Sequence, residues 1–146
     1  MLEKITIVCV GNICRSPMAA GLLETRARQL RKPMQVASAG LDALEGHSPD
    51  PVCCELLRDE NIDISDHQAR QLRPEILRES DLILVMESWQ KTALQSRHPE
   101  CRGKIFTLGH WTGLEVEDPY RRSRAEYLAA WRKIKMSIDS WSEKLW

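Results

Sequence analysis

The segment Cys9-Val10-Gly11-Asn12-Ile13-Cys14-Arg15-Ser16 decides the fold class of this chain. It follows Ile5–Val8, a short β-branched run that predicts a buried strand. Pro17 comes next and favours the first turn of a helix, so we expect Ser16 to cap a helix that continues to about Arg31. Open α/β folds bind ligands at such strand-to-helix connections, which makes this loop the candidate site.

The remainder of the chain repeats the alternation of strand and helix patterns. Further strands are predicted at residues 34–39, 82–86 and 104–108, and further helices at Asp50-Pro51, at Ser88 and around Leu128. Apolar residues in the last helix recur at steps of three or four, as in a long amphipathic helix. This order favours an α/β fold with a parallel sheet flanked by helices on both faces. A length of 146 residues fits a single domain over 1–146.

Composition narrows the function classes. Lys and Arg number 21 against 21 Asp and Glu, and a formal net charge of zero disfavours a nucleic-acid-binding protein. No apolar run approaches the roughly 18 residues of a membrane-spanning helix, and the first residues lack the features of a signal peptide. Five cysteines without Cys-x-x-Cys spacing predict free thiols in a reducing compartment rather than a zinc site. We therefore expect a cytoplasmic protein without a nucleic-acid partner, membrane insertion or bound metal.

The loop contains the residue types of an anion-binding nucleophilic site. Backbone N–H groups at a helix start attract negative charge, and the planar guanidinium of Arg15 can hold two phosphate oxygens at once. Gly11 is expected to permit a backbone geometry that larger residues resist, and Asn12 tolerates a left-handed conformation. The positive field is expected to lower the pKa of the Cys9 thiol, and Ser16 can donate a hydrogen bond to the thiolate. The alternative, a buried thiol at a strand end, leaves Arg15 unexplained.

Cleavage of a phosphate ester also needs an acid that protonates the leaving oxygen. Asp118 is a candidate because Pro119 restricts the backbone around it, which would hold the carboxyl in position. The same Asp-Pro pair fits a helix-capping turn equally well, since that pair is common at helix starts.

These segments together resemble the low-molecular-weight protein tyrosine phosphatases over essentially the whole chain. The resemblance is carried by Val8–Pro17, Ser38–Gly40, Asp66–Gln71, Asp81–Met86 and Asp118–Tyr120. It implies a four-stranded parallel sheet with flanking helices, hydrolysis of phosphotyrosine and no cofactor.

The resemblance also implies catalytic roles. Cys9 would be the nucleophile that forms a phosphocysteine, and Arg15 would bind phosphate and stabilise the transition state. Asp118 would protonate the leaving phenolate and then act as base on the attacking water. Cys14 would be a second thiol, able to form a reversible disulfide with Cys9 under oxidation.

Binding and bracing roles follow from the same resemblance. The implied substrate-binding set is Val10, Gly11, Asn12, Ile13, Cys14, Ser16, Leu44 and Tyr120, with Tyr120 as one wall of the substrate slot. The implied bracing set, which would support the loop through hydrogen bonds, is Asn12, Ser38 and His67.

A finer resemblance points to the bacterial subgroup associated with exopolysaccharide production. Gly109–Trp111 and Glu117–Arg124 carry it, and Leu44 fits the aliphatic slot wall of that subgroup. Such enzymes act on the autophosphorylated, tyrosine-rich tail of a membrane tyrosine kinase, which is the partner expected here. The basic residues Arg121, Arg122 and Arg124 are either a solvated helix start or a surface that attracts the acidic tail.

Three alternatives remain open on the sequence. An arsenate reductase of the same fold needs two relay cysteines spaced Cys-x6-Cys after the third strand, whereas only Cys101 lies in that half. A phosphoarginine phosphatase tends to have threonine after the loop asparagine, where this chain has Ile13. A non-catalytic phosphate-binding module needs neither the thiol of Cys9 nor the carboxyl of Asp118.

Overall fold

The strands form one sheet in which every neighbouring pair is parallel. The computed structural model describes residues 2–146, and its strands are β1 Lys4–Cys9, β2 Gln35–Gly40, β3 Leu82–Val85 and β4 Ile105–Thr107. They lie in the order β2-β1-β3-β4, and Val8 of β1 stands opposite Ala39 of β2 and Val85 of β3. The expected four-stranded parallel sheet is confirmed.

Successive strand residues point to opposite faces of the sheet, so apolar strands need cover on both faces. Helices provide this cover. The helices are α1 Arg15–Gln29, α2 Pro51–Arg58, α3 Pro74–Glu79, α4 Ser88–Arg97 and α5 Arg124–Leu145, with a 3-10 helix at Pro99–Lys104. Ile5 and Ile7 pack in a core with α1, α2 and α5, whereas Val8, Ile83 and Val85 pack in a second core with α3 and α4. The predicted helices on both faces are therefore confirmed.

One predicted helix start differs from the structure, and a second helix begins where predicted but has an unexpected N-cap. Helix α1 begins at Arg15 with Cys14 at the N-cap position, so the prediction that Ser16 caps it is wrong. The Ser16 hydroxyl bonds to Cys9 instead. Helix α4 begins at Ser88, but Glu87 is its N-cap and forms a capping box with Gln90.

The short elements α3 and the 3-10 helix were not predicted from the sequence. The start of α2 was predicted from the sequence. The Asp50 carboxylate caps this helix by accepting a hydrogen bond from the Val52 N–H.

The carboxyl ends of the parallel strands meet at one edge of the sheet, where such folds bind ligands. At this edge β1 leads into the Cys9–Ser16 loop, and β3 leads to Glu87 at the start of α4. The connection from β4 to α5 carries Asp118 to the same edge. Within residues 2–146, no helix has both the length and the apolar character needed to span a membrane.

Candidate active site

Asn12 organises the Cys9–Ser16 loop from the inside. It is fully buried and adopts the expected left-handed conformation, with φ of 59°. Its Nδ2 donates to Ser16 Oγ at 2.7 Å and to Ser38 Oγ at 3.0 Å, while its Oδ1 accepts from the Arg70 N–H at 2.9 Å. Every polar atom of the side chain thus holds a neighbouring segment.

His67 supports the loop at the same residue. Its Nε2 lies 2.8 Å from the carbonyl oxygen of Asn12. Since a carbonyl only accepts, Nε2 carries the proton and donates. Burial lowers the pKa of His67, the hydrogen bond to the Asn12 carbonyl raises it, and Arg70 lowers it; the net direction is down. The imidazole is therefore suited to a neutral donor role at this position.

The start of α1 leaves backbone donors without protein partners. Cys14 makes no side-chain cap bond, and the N–H groups of Gly11, Ile13 and Cys14 find no acceptor within residues 2–146. Unpaired N–H groups at a helix start, with the helix dipole behind them, attract an anion. The loop is therefore built to bind a negatively charged group.

The Cys9 thiol lies at the base of the loop and is 2% exposed. Its Sγ is 2.9 Å from Ser16 Oγ; because that oxygen accepts from Asn12, the hydroxyl hydrogen can point at sulfur. Burial raises the pKa of Cys9, whereas the Arg15 guanidinium and hydrogen bonds from Ser16 and the Asn12 N–H lower it, and burial prevails. The predicted groups are present, but the predicted net lowering of the pKa is not confirmed.

Arg15 is the largest buried side chain of the site and is 1% exposed. Its Nη1 donates to Glu87 Oε1 at 2.6 Å and to the Val116 carbonyl at 2.9 Å. Its Nε has no hydrogen-bond partner within residues 2–146, and Nη2 lies 3.7 Å from Asp118 Oδ2. One nitrogen is thus fixed by the protein, while the edge formed by Nε and Nη2 remains available to a ligand.

Asp118 faces Arg15 from a turn before α5, and its side chain is 47% exposed. Its Oδ1 accepts from the Tyr120 N–H at 3.1 Å, which limits rotation of the carboxyl. This turn is not the N-cap of α5, since Ser123 holds that position. The alternative interpretation of the Asp118-Pro119 pair as a helix-capping turn is therefore wrong.

The predicted site residues converge on one cavity of about 170 Å³. Its lining consists of Cys9, Val10, Gly11, Ile13, Cys14, Arg15, Asp42, Leu44, Asp118 and Tyr120. Four other predicted residues lie behind this wall and support the loop through the hydrogen bonds described above: Asn12, Ser16, Ser38 and His67. A cavity of about 480 Å³ at the opposite edge of the sheet, near Trp146, has no cysteine or histidine in its lining.

The glycine requirement differs from the prediction. Gly11 does not adopt a positive φ, and a Cβ there would make only ordinary contacts, 3.8 Å from Ile13 and 3.9 Å from Leu44. A Cβ on Gly40 would lie 2.5 Å from the Val10 carbonyl oxygen. The close approach that needs glycine is thus made by β2 against the loop, and not within the loop.

Sequence reasoning missed three supporting residues. Glu87 fixes Arg15 through an ion pair. The only sequence feature that could have indicated this role is an acidic residue directly after a predicted buried strand. Arg70 holds Asn12 and also donates from Nε to the Ser38 carbonyl at 2.9 Å. Gln71 bonds to the Ala43 N–H and the Leu41 carbonyl, and so positions the segment that carries Leu44.

All five cysteines are free thiols. Cys101 is buried in the second core, on the face of the sheet opposite to the core that contains Cys9. It cannot accept a disulfide from Cys9 without rearrangement, which weighs against an arsenate reductase that uses Cys101 as a relay. The Cys9–Cys14 disulfide stays a prediction. Residues 2–146 contain no group of three or more metal-ligating side chains placed to hold a metal ion.

Residues 4–146 match the family described as low molecular weight phosphotyrosine protein phosphatase. The chain belongs to this family. It is 41% identical over 145 residues to EpsP of Ralstonia nicotianae, covering 99% of this chain and 97% of EpsP. It is 40% identical over 146 residues to the protein-tyrosine-phosphatase Wzb of Salmonella typhimurium, covering 99% and 95% of the two chains.

A solved structure agrees with this assignment. Wzb of Vibrio vulnificus in complex with benzylphosphonate superposes with a TM-score of 0.92 at 36% identity, covering 99% of each chain. The chain is thus a low molecular weight protein-tyrosine-phosphatase of the Wzb and EpsP type. The expected family, fold and exopolysaccharide-associated bacterial subgroup are confirmed.

Proposed function

We propose that this phosphatase hydrolyses phosphotyrosine through a phosphocysteine on Cys9, using Arg15 and Asp118. The geometry of Arg15 carries the proposal. Glu87 and Val116 fix Nη1, while Nε and Nη2 stay available in the cavity that also contains the thiol and the carboxyl. A fixed cation with an open N–H edge fits an anion whose charge grows during reaction.

In the first step the Cys9 thiolate attacks phosphorus. The S–P bond forms while the P–O bond to the tyrosine breaks, and protonated Asp118 gives its proton to the leaving phenolate oxygen. Arg15 holds two of the remaining phosphoryl oxygens, and the unpaired loop N–H groups receive the negative charge.

In the second step water attacks phosphorus, and the Asp118 carboxylate removes its proton. The S–P bond breaks and releases phosphate together with the Cys9 thiolate. Ser16, 2.9 Å from sulfur, stabilises the departing thiolate by donating its hydroxyl hydrogen. Net reaction converts phosphotyrosine and water to tyrosine and inorganic phosphate.

The cavity walls favour an aryl phosphate over an alkyl one. Leu44 and Tyr120 line its sides, with the Cys9–Ser16 loop at the base. An apolar slot between these side chains suits the phenyl ring of tyrosine, whereas phosphoserine would leave the walls uncovered. The proposed substrate-binding set is therefore the loop backbone of residues 10–16 with Leu44 and Tyr120.

The proposed partner is a phosphotyrosine-rich protein tail, such as that of a membrane tyrosine autokinase. The similarity to EpsP and Wzb supports a phosphotyrosine protein as substrate. Free thiols fit a reducing compartment, so the proposal includes a cytoplasmic location, where such a tail would be available.

The proposal is tested with two peptides that differ only in phosphotyrosine or phosphoserine. Assays contain reductant and a chelator, and acid-quenched protein is searched for phosphate on the peptide that contains Cys9. We expect phosphotyrosine to react at least about 10²-fold faster in kcat/KM, with phosphate trapped on Cys9. Equal rates on both peptides, or turnover without a phosphocysteine, would contradict it.

Asp118→Ala should impair substrates with poor leaving groups more than those with good ones. Without the acid, phenyl phosphate should lose about 10²- to 10³-fold in kcat/KM, because its phenolate needs a proton. p-Nitrophenyl phosphate should lose about tenfold or less, since nitrophenolate leaves unaided. The adjacent Glu117→Ala is the matched control and should not change the ratio of the two rates. Equal losses for both substrates in Asp118→Ala would rule out the acid role.

Two of the three arginines that follow Asp118 are paired with carboxylates. Arg124 pairs with Glu55 at 3.2 Å, and Arg122 with Glu126 at 3.4 Å. Arg121 lies over the Tyr120 ring, 5.1 Å from its centroid, and no carboxylate within residues 2–146 pairs with it. Of the three arginines, Arg121 is therefore the candidate contact for acidic residues beside phosphotyrosine.

Arg121→Glu should weaken action on acidic phosphopeptides selectively. We expect kcat/KM for an acidic phosphotyrosine peptide to fall about five- to tenfold at low salt, and less at high salt. A peptide with neutral flanking residues should change about twofold. Arg132→Glu on the exposed face of α5 makes the same charge change and serves as control. Equal effects of both variants would mean that only net charge matters.

A further inference from the structure

Tyr127 of α5 joins two segments of the active site through its hydroxyl group. The side chain is buried, and its hydroxyl oxygen accepts a hydrogen bond from the Arg121 N–H at 3.3 Å. The same hydroxyl donates to Asp50 Oδ2 at 2.7 Å. Tyr127 thus connects the segment that follows Asp118 with the N-cap of α2.

Asp50 continues this connection to the Cys9–Ser16 loop. Its N–H donates to the Ile13 carbonyl at 2.8 Å, and its Oδ2 lies 3.7 Å from the Cys14 thiol, which donates to it. Its other oxygen caps α2 at Val52. The Asp50 carboxylate therefore contacts the loop and Tyr127 at once.

The turn that carries Asp118 has few other attachments. On its near side the Val116 N–H donates to the Met86 carbonyl at 3.1 Å, the Val116 carbonyl accepts from Arg15 Nη1 at 2.9 Å, and Arg15 Nη2 lies 3.7 Å from the Asp118 carboxylate. On its far side the bond from Arg121 to Tyr127 is the attachment, and Arg121 has a strained φ of 61°. The bonds within the turn, from Tyr120 to Asp118 and from Arg122 to Pro119, do not attach it to the rest of the protein, so the position of its far side depends on Tyr127.

The hydroxyl of Tyr127 is well suited to remain a donor. Burial and the hydrogen bond to Asp50 raise the pKa of Tyr127 well above its ordinary value. The phenol therefore keeps its proton throughout the pH range in which such an enzyme works. Its bond to the Asp50 carboxylate is a charge-assisted one, which is stronger and more directional than a neutral bond.

We propose that Tyr127 is a positioning residue that acts with Asp50 to hold the Asp118 turn in place above the Cys9–Ser16 loop. The inference rests on the proposed role of Asp118 as the acid. Because proton transfer requires the carboxyl within hydrogen-bond reach of the leaving oxygen, loss of this connection misplaces the acid without removing it.

The test compares kcat/KM for phenyl phosphate and p-nitrophenyl phosphate in Tyr127→Phe, which removes only the hydroxyl. We expect about a tenfold loss for phenyl phosphate and about twofold for p-nitrophenyl phosphate. Asp50→Asn, which retains an N-cap acceptor for α2, should give the same shift in the ratio. In an Asp118→Ala background, Tyr127→Phe should cause no further shift. Ser123→Ala, which removes the N-cap of α5, is the matched control and should keep the ratio of the wild type.

The outcomes separate this inference from the proposed function. A ratio shift by Tyr127→Phe that disappears without Asp118 supports it. Equal losses on both substrates, or an unchanged ratio in folded Tyr127→Phe, would overturn it while Asp118→Ala still shows its own shift. If Asp118→Ala itself leaves the ratio unchanged, the acid assignment and this inference both fail. If Tyr127→Phe does not fold, the inference is tested with Asp50→Asn, by the same ratio of kcat/KM for phenyl phosphate and p-nitrophenyl phosphate.

Discussion

Cys9→Ser is expected to abolish turnover of phosphotyrosine while leaving phosphate binding intact. A serine hydroxyl in this position has a far higher pKa than a thiol and leaves phosphorus poorly. The first step therefore loses its nucleophile and the second step loses its leaving group. We expect kcat to fall more than about 10⁴-fold. Arg15 and the unpaired N–H groups of the loop are unchanged by the substitution, so inorganic phosphate should still raise the melting temperature.

Kinetics on a phosphotyrosine peptide and phosphate-dependent melting together check this prediction. Cys54→Ser is the matched control, because it makes the same chemical change at a half-buried thiol outside the cavity. It should retain activity within about twofold of the wild type. Retained turnover by Cys9→Ser would show that another group attacks phosphorus. Loss of both turnover and phosphate binding would show that the loop itself collapsed.

Local sequence patterns predicted the sheet and the Cys9–Ser16 loop, whereas Leu44 and Tyr120 of the cavity wall were implied by the family resemblance and Asp42 was not predicted. Strands β1 and β3 are buried on both faces, which is visible in the sequence as β-branched and apolar runs, and these strands fix where the loop begins. Cys9 and Arg15 are close in sequence, so their meeting at the helix start follows from local geometry. Asp118 was found by chemistry, as the acid that the reaction needs, together with the neighbouring Pro119 that restricts its backbone.

The supporting contacts could not be predicted from local patterns because the partners are distant along the chain, and the bracing set Asn12, Ser38 and His67 was implied only by the family resemblance. Asn12 bonds to residues 38, 67 and 70, and Arg15 bonds to Glu87 and Val116. Such pairs depend on how α2, α3 and α4 dock, and α3 has only six residues, too few for a periodic signal. The helix start was misplaced for a related reason, since Ser16 serves the thiol instead of the cap.

Arg15→Lys should reduce kcat about 10²- to 10³-fold although the positive charge is retained. The guanidinium uses Nη1 to bond Glu87 and Val116 and still leaves Nε and Nη2 for the phosphoryl oxygens. A lysine has one nitrogen, which must serve either these anchors or the phosphate, and it has no planar fork. The loss should appear mainly in kcat, because the bidentate hold matters most as charge develops in the transition state.

The measurement is kcat and KM on a phosphotyrosine peptide, with circular dichroism to establish that the variant is folded. Folding needs this check because Arg15 is 1% exposed, and an unpaired Glu87 or Val116 carbonyl would cost about 1–3 kcal/mol of stability. Arg26→Lys on the same helix is the control; Arg26 pairs with Asp139 at the surface, and its loss should change kcat less than about twofold. If Arg15→Lys keeps kcat within about tenfold of the wild type, positive charge alone suffices, and the clamp by Glu87 and Val116 does not orient the catalytic cation.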